Sequence, residues 1–295
     1  MTDAVIVAAV AALAAGFFVL LRQQRLIRRR QRGLDARLRR LERDRLLALE
    51  RDAAAREVHE RAARGELDLR LPFAFTGEEG EDLFLWRVFE GQPTGRYLEI
   101  GAFDGTTCAV SYPFECVGWT GLLVEPNPRH ATLCRARRPH STVVEAAASR
   151  RGSSGTIRLR VPGGDAIGGL SGFLETDAHG RDETLARRGV RPDEFEARLT
   201  TLADILDEHP GRLDFAVLDV EGHEPELLDG IDLARHRPRL FLIEDLSEGR
   251  DRTVRDTMLA AGYRHAGRVG MSEVYVEGGE ADLLARALRH ARPES

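Results

Sequence analysis

The sequence predicts an α/β fold, a Rossmann-like and mostly parallel sheet between helices, set behind a long N-terminal helix. Short apolar runs at Tyr97–Ile100, Leu122–Val124, Phe215–Leu218 and Leu240–Ile243 are separated by helix-forming stretches, the pattern of strands buried on both faces. Residues 1–64 hold 15 Arg against 8 Asp and Glu, while residues 65–295 hold 28 against 40. A net of +7 followed by −12 divides the chain into a part suited to an anionic surface and a part that argues against nucleic acid as a partner.

At 295 residues and 42% hydrophobic content there is material for a true core in one large domain with an appendage. All 43 basic residues are Arg, a coding bias that singles out no site. Cys108, Cys116 and Cys134 are odd in number and lack a Cys-x-x-Cys spacing, so no disulfide framework is expected and Cys108 reads as a packing residue.

From Ala4 to Leu21 there are 18 residues without a charge or a polar side chain, about 27 Å as a helix. Asp3 precedes this run, and Arg22, Arg25, Arg28, Arg29 and Arg30 follow it. A cleaved secretory signal carries its charge on the other side. The expectation is a single-pass anchor in the cell inner membrane over residues 1–21, with everything after it on the cytoplasmic side. Residues 22–70 read as an Arg-rich helical stalk that also draws anionic lipids. Its Leu34, Leu38 and Leu41, continued by Leu46 and Leu49, form the seam of a short coiled coil and allow a homodimer through residues 22–64.

The globular domain is expected over residues 71–295. Glu81–Glu90 reads as a helix whose Leu83, Phe84, Trp86, Val88 and Phe89 belong to the core. Glu99 then stands inside an apolar strand, where an ionised carboxylate requires a cationic or hydrogen-bonding partner. The turn behind it, Glu99-x-Gly101-x-x-x-Gly105, lacks the Gly-x-Gly-x-x-Gly of pyrophosphate-binding turns. A carboxylate without that turn suits a ligand that carries an ammonium group and no phosphates, such as S-adenosylmethionine. A helix is expected from Thr106 to Glu115, limited by Pro113. Glu125 ends the next strand 24 residues after Gly101, about where a second Rossmann strand sets an acid on ribose hydroxyls.

The segments Tyr-Leu-Glu-Ile-Gly-Ala-Phe-Asp-Gly (97–105), Ser-Tyr-Pro-Phe-Glu (111–115), Gly-Trp-Thr-Gly-Leu-Leu-Val-Glu-Pro-Asn-Pro (118–128) and Leu-Asp-Val-Glu-Gly-His-Glu (218–224) together resemble the FkbM family of S-adenosylmethionine-dependent methyltransferases. The resemblance covers roughly Tyr97 to Val276. It implies a class I methyltransferase sheet of seven strands, the last antiparallel, and O-methylation of sugar or natural-product hydroxyls. The chain departs from the family's usual residues at Phe103 and Ala109–Ser111. On this reading the cofactor lies against Glu99, Gly101, Ala102, Phe103, Asp104, Gly105, Glu125, Pro126, Ala147 and Asp219.

Val143–Ser149 reads as a third strand ending in small residues that permit close approach of an adenine, with Glu145 near the ring. The interval from Gly163 to Arg198 is too long for a connector and is read as a lid or substrate-selecting insertion. Thr201–His209 is an amphipathic helix with Leu202, Ile205 and Leu206 inward. After Phe215–Leu218, the acids and base Asp219, Glu221, His223 and Glu224 fall within six residues at the edge where open parallel sheets bind ligands. O-methylation needs a proton acceptor for the attacking hydroxyl. His223 is the first choice, Asp219 the second, and Glu221 a positioning group. The same Asp219, Glu221 and His223 could instead hold Mg, Mn or Zn. The metal-free scheme is favoured because no full ligand shell can be named.

The expectation is therefore an O-methyltransferase acting on a small-molecule or glycolipid acceptor. A membrane scaffold with a non-catalytic fold of this kind, or an NAD-linked oxidoreductase, is the alternative.

Overall fold

The computed structural model describes residues 2–162, 173–174, 192–247 and 249–292. Two compact units, Met1–Asp52 and Ala53–Ser295, divide the chain. The first lies within α1, one helix from Thr2 to Ala63. Leu34, Leu38, Leu41, Leu46 and Leu49 are 50–65% exposed along it, so the described residues leave the coiled-coil seam largely uncovered. The expected anchor falls on this helical backbone, but its side chains lie outside the described residues. Among the described residues no helix is long and apolar enough to cross a membrane.

The second unit begins earlier than Leu71 because Val58, at the end of α1, is buried with Phe73, Ala109, Tyr112 and Cys116. Its helix α2 (Glu81–Val88) sends Phe84, Leu85 and Val88 into the main core with Phe89 and Trp119. Seven strands make the principal sheet: β1 (Arg96–Ile100), β2 (Thr120–Val124), β3 (Ser141–Val144), β8 (Phe215–Leu218), β9 (Leu240–Glu244), β10 (Tyr263–Val269) and β11 (Ser272–Glu277). Their order is β10-β11-β9-β8-β1-β2-β3. The pairs β3–β2, β2–β1, β1–β8 and β8–β9 are parallel, and β11 is antiparallel to both of its neighbours. The last strand is thus the antiparallel one, as expected.

Side-chain alternation splits the core into two layers. Leu98, Ile100, Leu122, Val124, Ala216 and Leu218 pack on one face with Leu202, Ile205 and Leu206 of α5 (Leu202–Glu208). Tyr97, Leu123, Phe215 and Val217 pack on the other with α2 and Phe114 of α3 (Tyr112–Cys116).

Two expectations need correction. The helix from Thr106 to Glu115 is only the five residues of α3, because side chains capture the amides a longer helix would use. Asp104 takes Thr106 and Thr107, and Glu99 takes Val110 and Ser111. Pro113 opens this helix rather than limiting it, since a first-turn N–H has no helical partner to lose. The predicted strand Val143–Ser149 breaks at Glu145, whose side chain turns out to pair with Arg135 at 2.9 Å. Ala147–Ser149 becomes β4 of a second sheet, ordered β4-β7-β5-β6, with β5 (Gly155–Pro162), β6 (Phe173–Leu174) and β7 (Pro192–Thr201). The predicted lid falls mainly on residues 163–172 and 175–191, outside the described residues.

Between β1, α3 and α4 (Pro128–Arg137) lies Arg138, 0% exposed. Its guanidinium donates to Glu115 at 2.6 Å, the Gly105 carbonyl at 2.9 Å, Tyr97 Oη at 3.0 Å and Ser111 Oγ at 2.8 Å. Replacing it by Met leaves the Glu115 carboxylate buried without its cation. Urea unfolding of Arg138→Met is expected to show a loss of about 3–5 kcal/mol. A loss under about 1 kcal/mol would mean that this network does not hold the domain.

Candidate functional site

Register brings the site residues to one edge. Ile100 is paired with both Val124 and Leu218, and Leu218 with Ile243. The next residue on each strand, Gly101, Glu125, Asp219 and Glu244, therefore stands along the C-terminal edge of the sheet. The chain winds outward in opposite directions from β1 and β8, and such a reversal opens a crevice between strand ends. A cavity of about 300 Å³ occupies it, at the lower end of the range for small-ligand sites.

Gly101 is required here. Its φ is +86°, and a Cβ would sit 2.0 Å from the carbonyl oxygen of Asp219. Three non-glycine residues with positive φ, Phe103 (48°), Cys108 (56°) and Glu221 (58°), also line the cavity. Backbone in that region is uncommon and must be held by its surroundings. Cys108 is half-buried, and burial pushes its thiol up to about 11, which suits a packing residue.

Glu125 is 6% exposed and accepts the amides of Phe103 at 2.9 Å and Asn127 at 2.8 Å, one on each oxygen. Each oxygen keeps a further lone pair for a ligand hydroxyl. His130, on the first turn of α4, stands with Nδ1 3.9 Å from Glu125 and its ring centroid 4.3 Å from that of Phe103. Sequence reasoning missed His130 and Asn127. The only available signal was the Pro-Asn-Pro that caps α4, whose Asn127 accepts the Arg129 amide at 3.0 Å.

Of the expected cofactor residues, Glu99, Gly101, Ala102, Phe103, Glu125, Pro126, Ala147 and Asp219 line the cavity, and Asp104 and Gly105 do not. Asp104 is turned inward onto Thr106, Thr107 and Arg137. Burial opposes its ionisation, yet the amides of Thr107 and Thr106 and the Thr107 hydroxyl hold it down to about 2. Gly105 packs against Arg138 and Cys134. Glu99 reaches the cavity wall, but its carboxylate is already engaged by the amides of Val110 at 2.6 Å and Ser111 at 3.2 Å, by the Ser111 hydroxyl, and by Arg138 at 4.0 Å. Its partner is the loop behind the strand.

Asp219, Glu221 and His223 all line the cavity, but they do not converge. The His223 ring lies 2.9 Å from Ser149 Oγ through Nε2 and 3.5 Å from Glu226 through Nδ1, which turns it toward β4. Among the described residues no three His, Cys, Asp or Glu side chains form a metal-binding group, so the alternative ligand set of Asp219, Glu221 and His223 is not assembled. The accessible face of Asp219 is the cavity, and Glu244 stands beside it, 8% exposed. Burial, then Glu221 and Glu224, raises Asp219 to about 7, and burial, then Asp219, raises Glu244 to about 9.

Fold and site together define an α/β protein with a ligand-sized crevice across the ends of β1, β2 and β8. Residues 99–265 match the methyltransferase FkbM domain, and the chain belongs to that family of S-adenosylmethionine-dependent methyltransferases. No curated protein matches it in sequence. Among solved structures it is similar to a TehB-like SAM-dependent methyltransferase from Corynebacterium glutamicum, at 10% identity over 78% of this chain and 98% of that one, TM-score 0.38. An O-methyltransferase from Bacillus cereus in complex with SAH is 15% identical over 76% and 91%, TM-score 0.37. A precorrin-6y C5,15-methyltransferase from Geobacter metallireducens is 12% identical over 70% and 92%, TM-score 0.36. The residues present fit the cofactor: Glu125 has acceptor capacity for a ribose, Gly101 lets the chain turn against the Asp219 carbonyl at the cavity edge, and Ala102, Ala146 and Ala147 keep the wall low.

Burial, against the opposing amides of Asn127 and Phe103, also raises Glu125 to about 7, from an ordinary 4.5. Glu81 behaves alike. When unfolded, these acids release their protons near their ordinary values; when folded, they keep them to about 7 or above. The folded protein therefore holds more protons over this window, and stability must fall as pH rises through it. Thermal unfolding of the ligand-free protein should show Tm declining from about pH 5 to about pH 8, with a shallower decline in Glu244→Gln. A Tm that climbs over that interval would contradict the raised acids.

Proposed function

We propose that the chain transfers the methyl group of S-adenosylmethionine to a hydroxyl of a sugar, glycolipid or natural-product acceptor. The observation that carries this reading is the placement of Glu125 and Asp219 on opposite sides of the Gly101 turn, both lining one cavity. The bound cofactor supplies an electrophilic methyl on a sulfonium. The chain's own part is to orient the acceptor and hold its proton. Glu125, fixed by the amides of Phe103 and Asn127, takes the ribose hydroxyls, while Ala102, Phe103, Pro126 and Ala147 wall the nucleoside.

Asp219 is the proton acceptor. It opens onto the cavity, and an acid raised to about 7 is a far better base than an ordinary carboxylate at neutral pH. His223, engaged by Ser149 and Glu226, positions the loop that carries Glu221, which orients the acceptor. The wall opposite the cofactor comes from the second sheet through Leu159, Val161 and Phe195, surfaces suited to the apolar face of a sugar ring or an aglycone. The apolar run 4–21 with its Arg flank supports a single-pass inner-membrane anchor that keeps the domain cytoplasmic and near membrane-bound acceptors.

Calorimetry on the full chain is expected to show binding of S-adenosylmethionine or S-adenosylhomocysteine in preference to NAD. Glu125→Ala should weaken that binding by about 1–3 kcal/mol. Transfer of labelled methyl into a cell-envelope extract should fall about 100-fold or more in Asp219→Asn and less in His223→Gln. Unchanged binding by the Glu125 variant removes the ribose contact, and full activity of Asp219→Asn removes the base.

A further inference from the structure

The charge on the cavity wall is one-sided. Six carboxyl side chains line it, those of Glu78, Glu99, Glu125, Asp219, Glu221 and Glu244, and among the described residues no Arg does, in a chain with 43. Glu99 and Glu125 are satisfied by backbone amides. Asp219 and Glu244 are different. They follow Leu218 and Ile243, which are register partners, so the sheet itself sets the two carboxyls side by side. Glu244 is 8% exposed and shares a side-chain hydrogen bond with Asp219, but its Oε2 is buried with no further hydrogen-bond donor among the described residues. A carboxyl oxygen in that position is costly unless something arrives to meet it.

We propose that Asp219 and Glu244 form a subsite for an organic cation, an onium group brought by a ligand. The inference rests on the methyl-transfer reading. A metal ion is a poorer fit because among the described residues no third protein ligand converges on the pair, and an acceptor bearing a phosphate or carboxylate would be repelled by it. The sheet order β9-β8-β1-β2 places Glu244 and Glu125 on opposite sides of β1, three strand spacings or roughly 14 Å apart. The subsite therefore lies beyond the ribose contact, where the reacting end of the cofactor and the acceptor meet. Two sources supply the same chemistry there: the donor's sulfonium, or an ammonium group on the acceptor next to the hydroxyl that is methylated.

Calorimetry on the full chain separates them. If the sulfonium is the cation, the parent binds S-adenosylmethionine about tenfold or more tightly than uncharged-sulfur S-adenosylhomocysteine. Glu244→Gln brings the ratio near one, and Glu244→Asp retains most of it. If the cation belongs to the acceptor, donor and product bind alike, and protein loaded with S-adenosylhomocysteine binds glucosamine in preference to glucose, a preference Glu244→Gln abolishes. The absence of both preferences, or their survival in a Glu244→Gln protein that unfolds cooperatively, overturns the subsite while leaving the methyl-donor reading standing. Tight Mg²⁺ binding by the ligand-free parent that Glu244→Gln removes overturns it in favour of a metal. Failure to bind either S-adenosyl compound ends both.

Discussion

The guanidinium of Arg138 is the constraint on which the site depends. It is fully enclosed, so its charge must be met from within, and the groups that meet it come from parts of the chain the site needs brought together. Tyr97 lies on β1, Gly105 in the turn behind it, Ser111 at the start of α3, and Glu115 within α3. Burial disfavours the charged form, but Tyr97, Glu99 and Glu115 more than offset it and raise the Arg138 pKa. Because a buried cation with one partner missing is strongly destabilising, these groups are held together or not at all. Ser111 then passes the constraint to Glu99 through its hydroxyl and its amide. Both ends of the 101–111 loop are pinned, and the amide of Phe103 is presented to Glu125.

That arrangement explains how the cavity tolerates strained backbone. Each described non-glycine residue with positive φ has a carboxylate gripping an amide at it or within two residues of it. Glu125 takes the amide of Phe103 itself. Asp104 takes Thr107, and Glu99 takes Val110, on either side of Cys108. Glu224 takes Val220 at 3.0 Å and Gly222 at 3.2 Å, on either side of Glu221. Charge-assisted bonds to amides are among the stronger ones available, and strain of about 1–3 kcal/mol per residue is within their reach. The acids around the cavity serve first as clamps on the loops that shape it.

This double duty marks the limit of what could be read from the sequence. The strands, and the edge at Gly101, Glu125 and Asp219, were legible because an apolar run that stops at a glycine or an acid has few other meanings in an α/β protein. Glu99 was legible as an acid needing a partner. That its partners would be amides 11 and 12 residues onward was not, since backbone donors carry no sequence signal. Asp104 was misplaced for the same reason. The second sheet was hidden because β4 is only Ala-Ala-Ser, and its partners on β7 lie 52 residues further along the chain. His223 stood out by composition, but its orientation is decided by Ser149, a residue that looked like the tail of a different strand.

The acids of the cavity wall, and Asp104 in the loop behind it, also differ in how far hydrogen bonding offsets burial. Asp104 has two amides, two hydroxyls and Arg137 against moderate burial, and it stays ionised to about 2. Glu125 has two amides against nearly complete burial and rises to about 7. Burial raises Asp219 to about 7 and Glu244 to about 9, and the main contributions beyond burial come from neighbouring carboxyls. A clamped carboxylate is a fixed charge, useful for orientation and poor at exchanging protons near neutrality. An acid whose ionisation is held back by desolvation and like charge can take up or release a proton as a ligand changes the charge beside it. In the reaction proposed above the proton acceptor comes from the second kind, and of the acids raised to about 7 or above along this edge, Glu125 is held by two amides whereas Asp219 and Glu244, at the ends of β8 and β9, are held by none among the described residues.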